Sequence, residues 1–251
     1  MVVTRPESQA QVLCDRLRAL GAYPIKFPVI AIVPAEPGGG LDQAIEQMIR
    51  YDWIIFTSVN GVEHFWARME AVGTSSNTGE TGILNFAGKV AAIGPATAVA
   101  LRERGAVVHL MPDVYCAEAI LDHIGNVADQ CILLPRADIA RPDLADNLRA
   151  RGSHVYEVAT YCTVSVTPPA SAFDAVRRGV DVVTFTSSST VRHFVKVTAE
   201  LDYGHPLIAC IGPVTAATAR KFGLHVDTVA QEYTVDGLVE AMRLLWTEGS
   251  R

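Results

Sequence analysis

Five short segments carry the residue types best suited to holding an anion: Thr4-Arg5-Pro6, Thr57-Ser58-Val59-Asn60-Gly61, Ile93-Gly94-Pro95, Thr186-Ser187-Ser188-Ser189 and Ile211-Gly212-Pro213. Each follows an apolar run and leads into a helical pattern. Such a segment offers helix-start N–H groups without intrahelical partners, together with hydroxyl donors, and both suit carboxylates or phosphates. Pro6, Pro95 and Pro213 fit the first helical position, where no N–H is needed. Asn60 with Glu63 has capping-box spacing. Any one of these segments alone would read as a helix cap.

What raises the ligand-binding reading is recurrence. Asp52-Trp53-Ile54-Ile55-Phe56-Thr57-Ser58 returns as Asp181-Val182-Val183-Thr184-Phe185-Thr186-Ser187, 129 residues later. Ile93-Gly94-Pro95-Ala96-Thr97-Ala98 returns as Ile211-Gly212-Pro213-Val214-Thr215-Ala216, 118 residues later. Leu17-Arg18-Ala19-Leu20-Gly21 returns as Leu148-Arg149-Ala150-Arg151-Gly152. The doubling implies two similar α/β domains facing each other, with a ligand in the cleft.

Other chemistries lack their signatures. The chain has no Walker A motif, no GxGxxG and no GxSxG elbow. Its seven histidines are scattered, with no pair at metal-ligand spacing. Five cysteines, Cys14, Cys116, Cys131, Cys162 and Cys210, show no CxxC spacing and are read as buried free thiols. The net charge of -6 and the absence of a basic stretch argue against a nucleic-acid surface. An anionic ligand must then be held by local groups and not by the field of the whole protein. No apolar run approaches the ~18 residues of a membrane span. The opening Met1-Val2-Val3-Thr4-Arg5-Pro6 lacks the features of a secretory signal, so a cytoplasmic protein is expected.

The elements that must position these segments are short strands alternating with amphipathic helices, the pattern of parallel sheets covered on both faces. Strands are predicted at Met1–Thr4, Ile54–Thr57, Val90–Ile93, Val107–Leu110, Ile132–Pro135, Val182–Thr186, Leu207–Ile211 and Val226–Val229. Four helices are predicted to end in basic residues followed by Gly21, Gly105, Gly152 or Gly223. Thr74–Gly82 reads as a solvated loop. The anion-suited segments all fall at the carboxyl ends of strands, where open parallel sheets bind ligands. Pro28–Pro34 and Val158–Val166 are β-rich and could pair as a two-stranded connector. That permits a crossed arrangement, in which 1–28 joins 181–246 and 131–161 joins 52–124, as well as an uncrossed one. Spacing alone does not choose between them.

In order along the chain, the VVTRP opening, the Asp52–Val62 segment with its FTS and NGV, the Ile93–Ala98 segment, Tyr115–Leu121, the Leu133–Arg136 segment with Tyr161 downstream, and a closing FTS, IGP and Tyr233-Thr234-Val235-Asp236-Gly237-Leu238 resemble the uroporphyrinogen-III synthase family. The likeness covers almost the entire chain. The resemblance implies an α/β fold of two flavodoxin-like parallel-sheet domains joined by a two-stranded β-ladder. It implies the crossed arrangement, with one domain from 1–33 plus 167–251, the other from 36–160, and linkers at about 28–35 and 158–166. It also implies a hydro-lyase that needs no metal or cofactor and acts on a linear tetrapyrrole polycarboxylate, hydroxymethylbilane. Loss of the terminal hydroxyl gives an azafulvene cation, which attacks the far end of ring D to form a spiro intermediate. That intermediate fragments, and ring D re-closes in the flipped sense to give uroporphyrinogen III. The expected protein is a monomer bound to neither nucleic acid nor membrane, with transfer of substrate from hydroxymethylbilane synthase.

Carried over residue by residue, the family's tyrosine before the second linker strand matches Tyr161, the candidate donor to the leaving hydroxyl. The IGP-x-Thr motif matches Thr215, a candidate substrate contact. Arg5 and Arg136 sit at equivalent strand ends with Arg141 nearby and are candidate carboxylate partners. Ser58, Asn60, Gly94, Thr186, Ser187, Ser188, Ser189 and Gly212 supply rim donors, and Tyr233 and Thr234 are placed to close the cleft. A non-enzymatic two-domain binding or sensor protein on the same scaffold is the alternative, because fold does not fix function. A different two-domain transferase is a third reading, disfavoured by the absent nucleotide motifs.

Overall fold

A computed structural model of the chain describes residues 1–75 and 86–249. In chain order the elements are β1 (Val2–Val3), α1 (Glu7–Ala19), β2 (Ile25–Lys26), β3 (Ile30–Pro34), α2 (Gly40–Glu46), β4 (Trp53–Phe56), α3 (Val59–Ser75), β5 (Lys89–Ala92) and α4 (Pro95–Arg102). There follow α5 (Ala117–His123), β6 (Cys131–Ala137), α6 (Asp143–Ala150), β7 (His154–Ser165), α7 (Ala170–Arg177), β8 (Val182–Phe185), α8 (Ser188–Val197), β9 (Leu207–Cys210), α9 (Pro213–Lys221), β10 (Thr228–Val229) and α10 (Val235–Gly249). The loop expected at Thr74–Gly82 lies, beyond Ser75, outside the described residues.

The chain divides into two compact units. One comprises Met1–Ile32 and Val164–Arg251, the other Val33–Thr163. The first holds a sheet in the order β10-β9-β8-β1-β2, with every neighbouring pair parallel. Counted along the chain, that is the flavodoxin-like order 2-1-3-4-5. The second sheet runs β3-β7-β6-β4-β5, with β7, β6, β4 and β5 mutually parallel. If β6 is counted first, these four strands repeat the order 2-1-3-4, and a parallel bridge from Leu110 to Ala91 takes the fifth place. The repeated sequence segments therefore occupy equivalent strands of two like sheets.

Burial follows the pleat. Successive strand residues point to opposite faces, so Val2, Val183 and Ile208 pack into one core of the first unit. Val3, Val182 and Ala209 pack into another, with Leu13 and Leu17 of α1 and Leu238 and Met242 of α10. In the second unit Ile54, Phe56 and Leu133 face α2, α3 and α4. Trp53, Ile55, Ile132 and Leu134 face α5 and α6. Both faces of each sheet are covered, which is why β4 reads as an unbroken apolar run rather than an alternating one. At the centre of the first sheet two fully buried threonines lock β1 to β8. Thr4 Oγ1 donates to the Thr184 carbonyl at 2.7 Å, and Thr184 Oγ1 donates to the Val2 carbonyl at 2.9 Å.

Some expectations shift. The strand expected at Val107–Leu110 reduces to the single bridge at Leu110, and Val107 is 68% exposed. That at Val226–Val229 shortens to Thr228–Val229, and β2 carried no sequence signal. Pro6 caps α1 from just outside it, whereas Pro95 and Pro213 do occupy the first turn. The cysteines carry no disulfide, but only Cys14 and Cys210 are buried; the other three are partly exposed. Gly21 and Gly152, at matching helix ends, take φ of +79° and +86°, a left-handed turn that a side chain would strain.

Candidate functional site

Parallel strands end together, so each sheet presents one rim of strand carboxyl ends. In the second unit Phe56 pairs with Ala92, which sets Thr57–Ser58 beside Ile93–Gly94. The longer β6 continues to Ala137, opposite Tyr161 on β7. A bulge lies just before it: Arg136 pairs with Ala159 and Ala137 with Tyr161, leaving Thr160 as the extra residue. Bulges re-aim the side chains next to them, and this one turns Tyr161 toward the start of α3. The extra residue is tied down, since its carbonyl accepts from the Ala35 N–H at 3.1 Å and its hydroxyl donates to the Arg136 carbonyl at 3.4 Å.

Tyr161 is 7% exposed, and its hydroxyl lies 3.5 Å from Ser58 Oγ. Ser58 Oγ in turn accepts the Gly61 N–H at 3.0 Å, which fixes the first turn of α3. The capping box expected from Asn60 and Glu63 is thus replaced by a Ser58 cap, and Asn60 turns to Tyr161. Burial raises the Tyr161 pKa above its ordinary value of 10, and hydrogen bonds with Ser58 and Asn60 offset part of that rise. The phenol is consequently a protonated donor at neutral pH. The imidazole of His64 packs on its ring with centroids 5.4 Å apart.

Gly94 and Gly212 sit at matching positions before α4 and α9. Both are extended, so the left-handed region does not explain the glycine. Crowding does. A Cβ on Gly94 would meet the Tyr115 ring at 3.1 Å, and one on Gly212 would meet the Tyr233 ring at 3.3 Å. Tyr115 and Tyr233 are 44% and 48% exposed, so each unit sets an aromatic ring over the glycine of its own rim. Thr215 is buried at the start of α9, as Thr97 is at the start of α4. Thr234 Oγ1 accepts the Gly237 N–H at 3.0 Å and so caps α10.

On the rim of the first unit, Arg5 leaves the end of β1 beside Thr186. Its Nη2 donates to Gln9 Oε1 at 3.3 Å, and its Nε is buried with no hydrogen-bond partner. No carboxylate pairs with it among the described residues. Burial lowers its pKa, but a guanidinium stays charged at any working pH. A half-buried cation without a counter-charge is costly, and an arriving carboxylate relieves that cost. Of the hydroxyl run, Ser187 is spent on a reciprocal capping box with Thr190, and Ser188 Oγ lies 2.7 Å from Thr218 Oγ1. Thr186 and Ser189 are half-buried and have no side-chain hydrogen bond among the described residues.

Arg136 is also committed within the protein. Its Nη1 donates to Glu157 Oε2 at 2.9 Å, and its Nη2 donates to the Arg141 carbonyl. The Arg136 side chain is 8% exposed whereas Glu157 is at the surface, so this is a part-buried ion pair that ties β6 to β7. Arg141 is exposed. The rims therefore gather Ser58, Asn60, Gly94 and Tyr161 in one unit, and Arg5, Thr186, Ser189, Gly212, Thr215 and Tyr233 in the other. Sequence reasoning missed His64 and Tyr115 as site residues. Tyr115 was recoverable from its match to Tyr233 across the repeat, whereas His64 carried no signal.

Among the described residues no three His, Cys, Asp or Glu side chains cluster as metal ligands, and no helix is long and apolar enough to cross a membrane. A 460 Å³ cavity lies away from the rim, at the amino ends of β1 and β8, lined by Leu20, Tyr23, Met242 and Trp246. It has the wrong character for a polyanion.

Each rim offers amide and hydroxyl donors; that of the first unit adds a guanidinium without a counter-charge among the described residues, and that of the second a neutral buried phenol. Such a set suits binding and shaping of a polycarboxylate more than strong acid–base chemistry. Residues 11–240 match the family described as uroporphyrinogen-III synthase HemD. A uroporphyrinogen-III synthase from Synechococcus elongatus is 32% identical over 255 residues, spanning 96% of this chain and 93% of that protein. A porphyrin biosynthesis protein HemD from Ruminiclostridium josui is 29% identical over 96% of this chain and 47% of its own length. A crystal structure of a mutant uroporphyrinogen III synthase from Thermus thermophilus shares the fold with a TM-score of 0.68, at 18% identity and 98% coverage of both chains. On this match along nearly its whole length, the chain belongs to the uroporphyrinogen-III synthase family.

Proposed function

We propose that this chain is a hydro-lyase that cyclises hydroxymethylbilane to uroporphyrinogen III, with inversion of ring D and loss of one water. The observation that carries the reading is the match over 96% of the chain to a uroporphyrinogen-III synthase. The rim chemistry supports it. Arg5, Thr186, Ser189, Ser58 and the amides beside Gly94 and Gly212 take the acetate and propionate groups of the substrate. Each contact is modest, so the load is spread over many carboxylates.

Tyr161 donates its hydrogen bond to the hydroxyl that departs from the terminal pyrrole, while the lone pair of the pyrrole nitrogen expels it. The resulting azafulvene cation is captured by ring D to form the spiro intermediate. Fragmentation and re-closure then give the inverted ring, and ring D returns a proton to solvent. The neutral phenol suits this first step because a donor, not a charged base, helps the oxygen leave. The protein works as a cytoplasmic monomer that receives its unstable substrate from hydroxymethylbilane synthase.

The test is to supply fresh hydroxymethylbilane, oxidise the product and resolve the isomers. An excess of the type III isomer over the spontaneous type I isomer is expected. Type I alone, with tetrapyrrole still bound, overturns the reading in favour of a non-enzymatic binding or sensor protein.

A further inference from the structure

Asn60 and His64 lie one helical turn apart on α3, so both side chains reach over the same neighbouring surface. Asn60 shares the Tyr161 hydroxyl with Ser58, and His64 takes the ring. The imidazole and phenol planes are tilted by 36°, closer to parallel than to an edge contact. One turn further along, Arg68 is held by both oxygens of Asp42 at 2.5 Å, which anchors this stripe of the helix to α2. His64 and Arg68 also line a cavity of about 300 Å³ with Glu36 and Thr160, the bulge residue beside Tyr161.

The Tyr161 hydroxyl needs this support. Its distance to Ser58 is 3.5 Å, at the long limit of a hydrogen bond, so that contact steers the hydroxyl without clamping it. A donor displaced by about 1 Å loses much of its effect on the transition state. The plane of the ring depends on what packs against it, and the His64 imidazole is one such neighbour. The imidazole lines that cavity, whereas Tyr161 does not. Burial lowers the His64 pKa below 6.5, and Glu63 on the same helix offsets part of that shift, so a neutral ring faces Tyr161 at neutral pH.

We propose that His64 is a positioning residue: its imidazole fixes the plane of Tyr161, so that the hydroxyl points at the departing oxygen, and shields the ring from water in the adjoining cavity. The proposal rests on the reading of Tyr161 as the leaving-group donor.

The test compares His64→Ala, His64→Phe and Tyr161→Phe in two ways. One is steady-state turnover of fresh hydroxymethylbilane to the type III isomer. The other is ultraviolet titration of the tyrosines, with Tyr161→Phe identifying the Tyr161 contribution. His64→Ala is expected to lower kcat about tenfold with KM changed less than about twofold, since positioning and not binding is lost. The Tyr161 titration should fall toward the ordinary tyrosine value as water reaches the ring. His64→Phe keeps a flat ring and should recover most of both. If the alanine variant does not fold, His64→Leu fills the space without a plane and is expected to show the same loss. Turnover of His64→Ala or His64→Leu within about twofold of the parent, while Tyr161→Phe loses tenfold or more, overturns the positioning role and leaves the Tyr161 reading standing. Full turnover by Tyr161→Phe overturns both, because no donor then remains to be positioned.

Discussion

Replacing Tyr161 with phenylalanine isolates the hydroxyl, because the ring keeps its place. The residue is 7% exposed, its 3.5 Å contact with Ser58 is long, and the His64 stacking is untouched. The cost in stability is expected to stay below about 1 kcal/mol, the net worth of an ordinary hydrogen bond. Activity should suffer more. A positioned proton donor contributes roughly 10²–10⁴ in rate. Ser58 and Asn60 remain beside the lost hydroxyl and can hold a water in its place, so the lower end applies. We expect about a hundredfold loss in kcat, or about 2.7 kcal/mol, with KM little changed because the carboxylates are held elsewhere. The assay is isomer-resolved turnover, since spontaneous closure to type I would mask a partial loss. The pH profile gives a second reading. The Tyr161 pKa is raised by burial, so the donor is intact below the ordinary value of 10 and is lost as pH rises through the higher folded value. The parent should therefore show an alkaline decline that the variant lacks. A variant with kcat within about twofold of the parent refutes the donor role. A folded variant with no turnover at all refutes the distributed cradle.

Four further outcomes follow from the same geometry. Arg5→Gln removes a buried guanidinium atom that has no partner, so urea unfolding should show stability unchanged within about 1 kcal/mol or improved, while KM rises about tenfold. Gly94→Ala and Gly212→Ala should each lower Tm by a few degrees, because the added Cβ would meet Tyr115 at 3.1 Å and Tyr233 at 3.3 Å; melting curves unchanged from the parent would contradict the crowding. Glu157→Gln leaves Arg136 charged and 8% exposed without its carboxylate, and, with the lost partner at the surface, should destabilise by about 1 kcal/mol in a urea titration. Arg68 holds the Asp42 carboxyl below its ordinary value of 3.8, so its contribution is present above that pH and lost as pH falls through the lower folded value. Asp42→Asn should therefore flatten the acid side of the stability profile, which denaturation midpoints between roughly pH 2 and 5 would register.

The fold class was legible because parallel strands buried on both faces leave near-continuous apolar runs, as Trp53–Phe56 does and as Val182–Phe185 does but for Thr184. The strand-end segments stood out because they recur in both halves. What stayed hidden depends on register. Glu157 reaches Arg136 only because β7 lies beside β6, with Leu134 paired to Glu157. Spacing in the chain does not carry that neighbour, so Arg136 read as a free cation. Ser187 and Ser188 read as open donors because their partners, Thr190 and Thr218, are ordinary helix residues. The bulge that aims Tyr161 exists only in the paired strands. His64 lies on an otherwise unmarked turn of α3, and only the bulge brings Tyr161 against it.

The central claim is that the strand carboxyl ends, and no other surface, receive the tetrapyrrole. Backbone amide NMR of the labelled protein, titrated with uroporphyrinogen III kept reduced under anaerobic conditions, tests it directly. The account predicts shifts concentrated at Arg5–Glu7, Thr57–Gly61, Ile93–Ala96, Thr186–Ser189 and Ile211–Val214. Shifts confined to Leu20, Tyr23, Met242 and Trp246, at the amino ends of the first sheet, would contradict it.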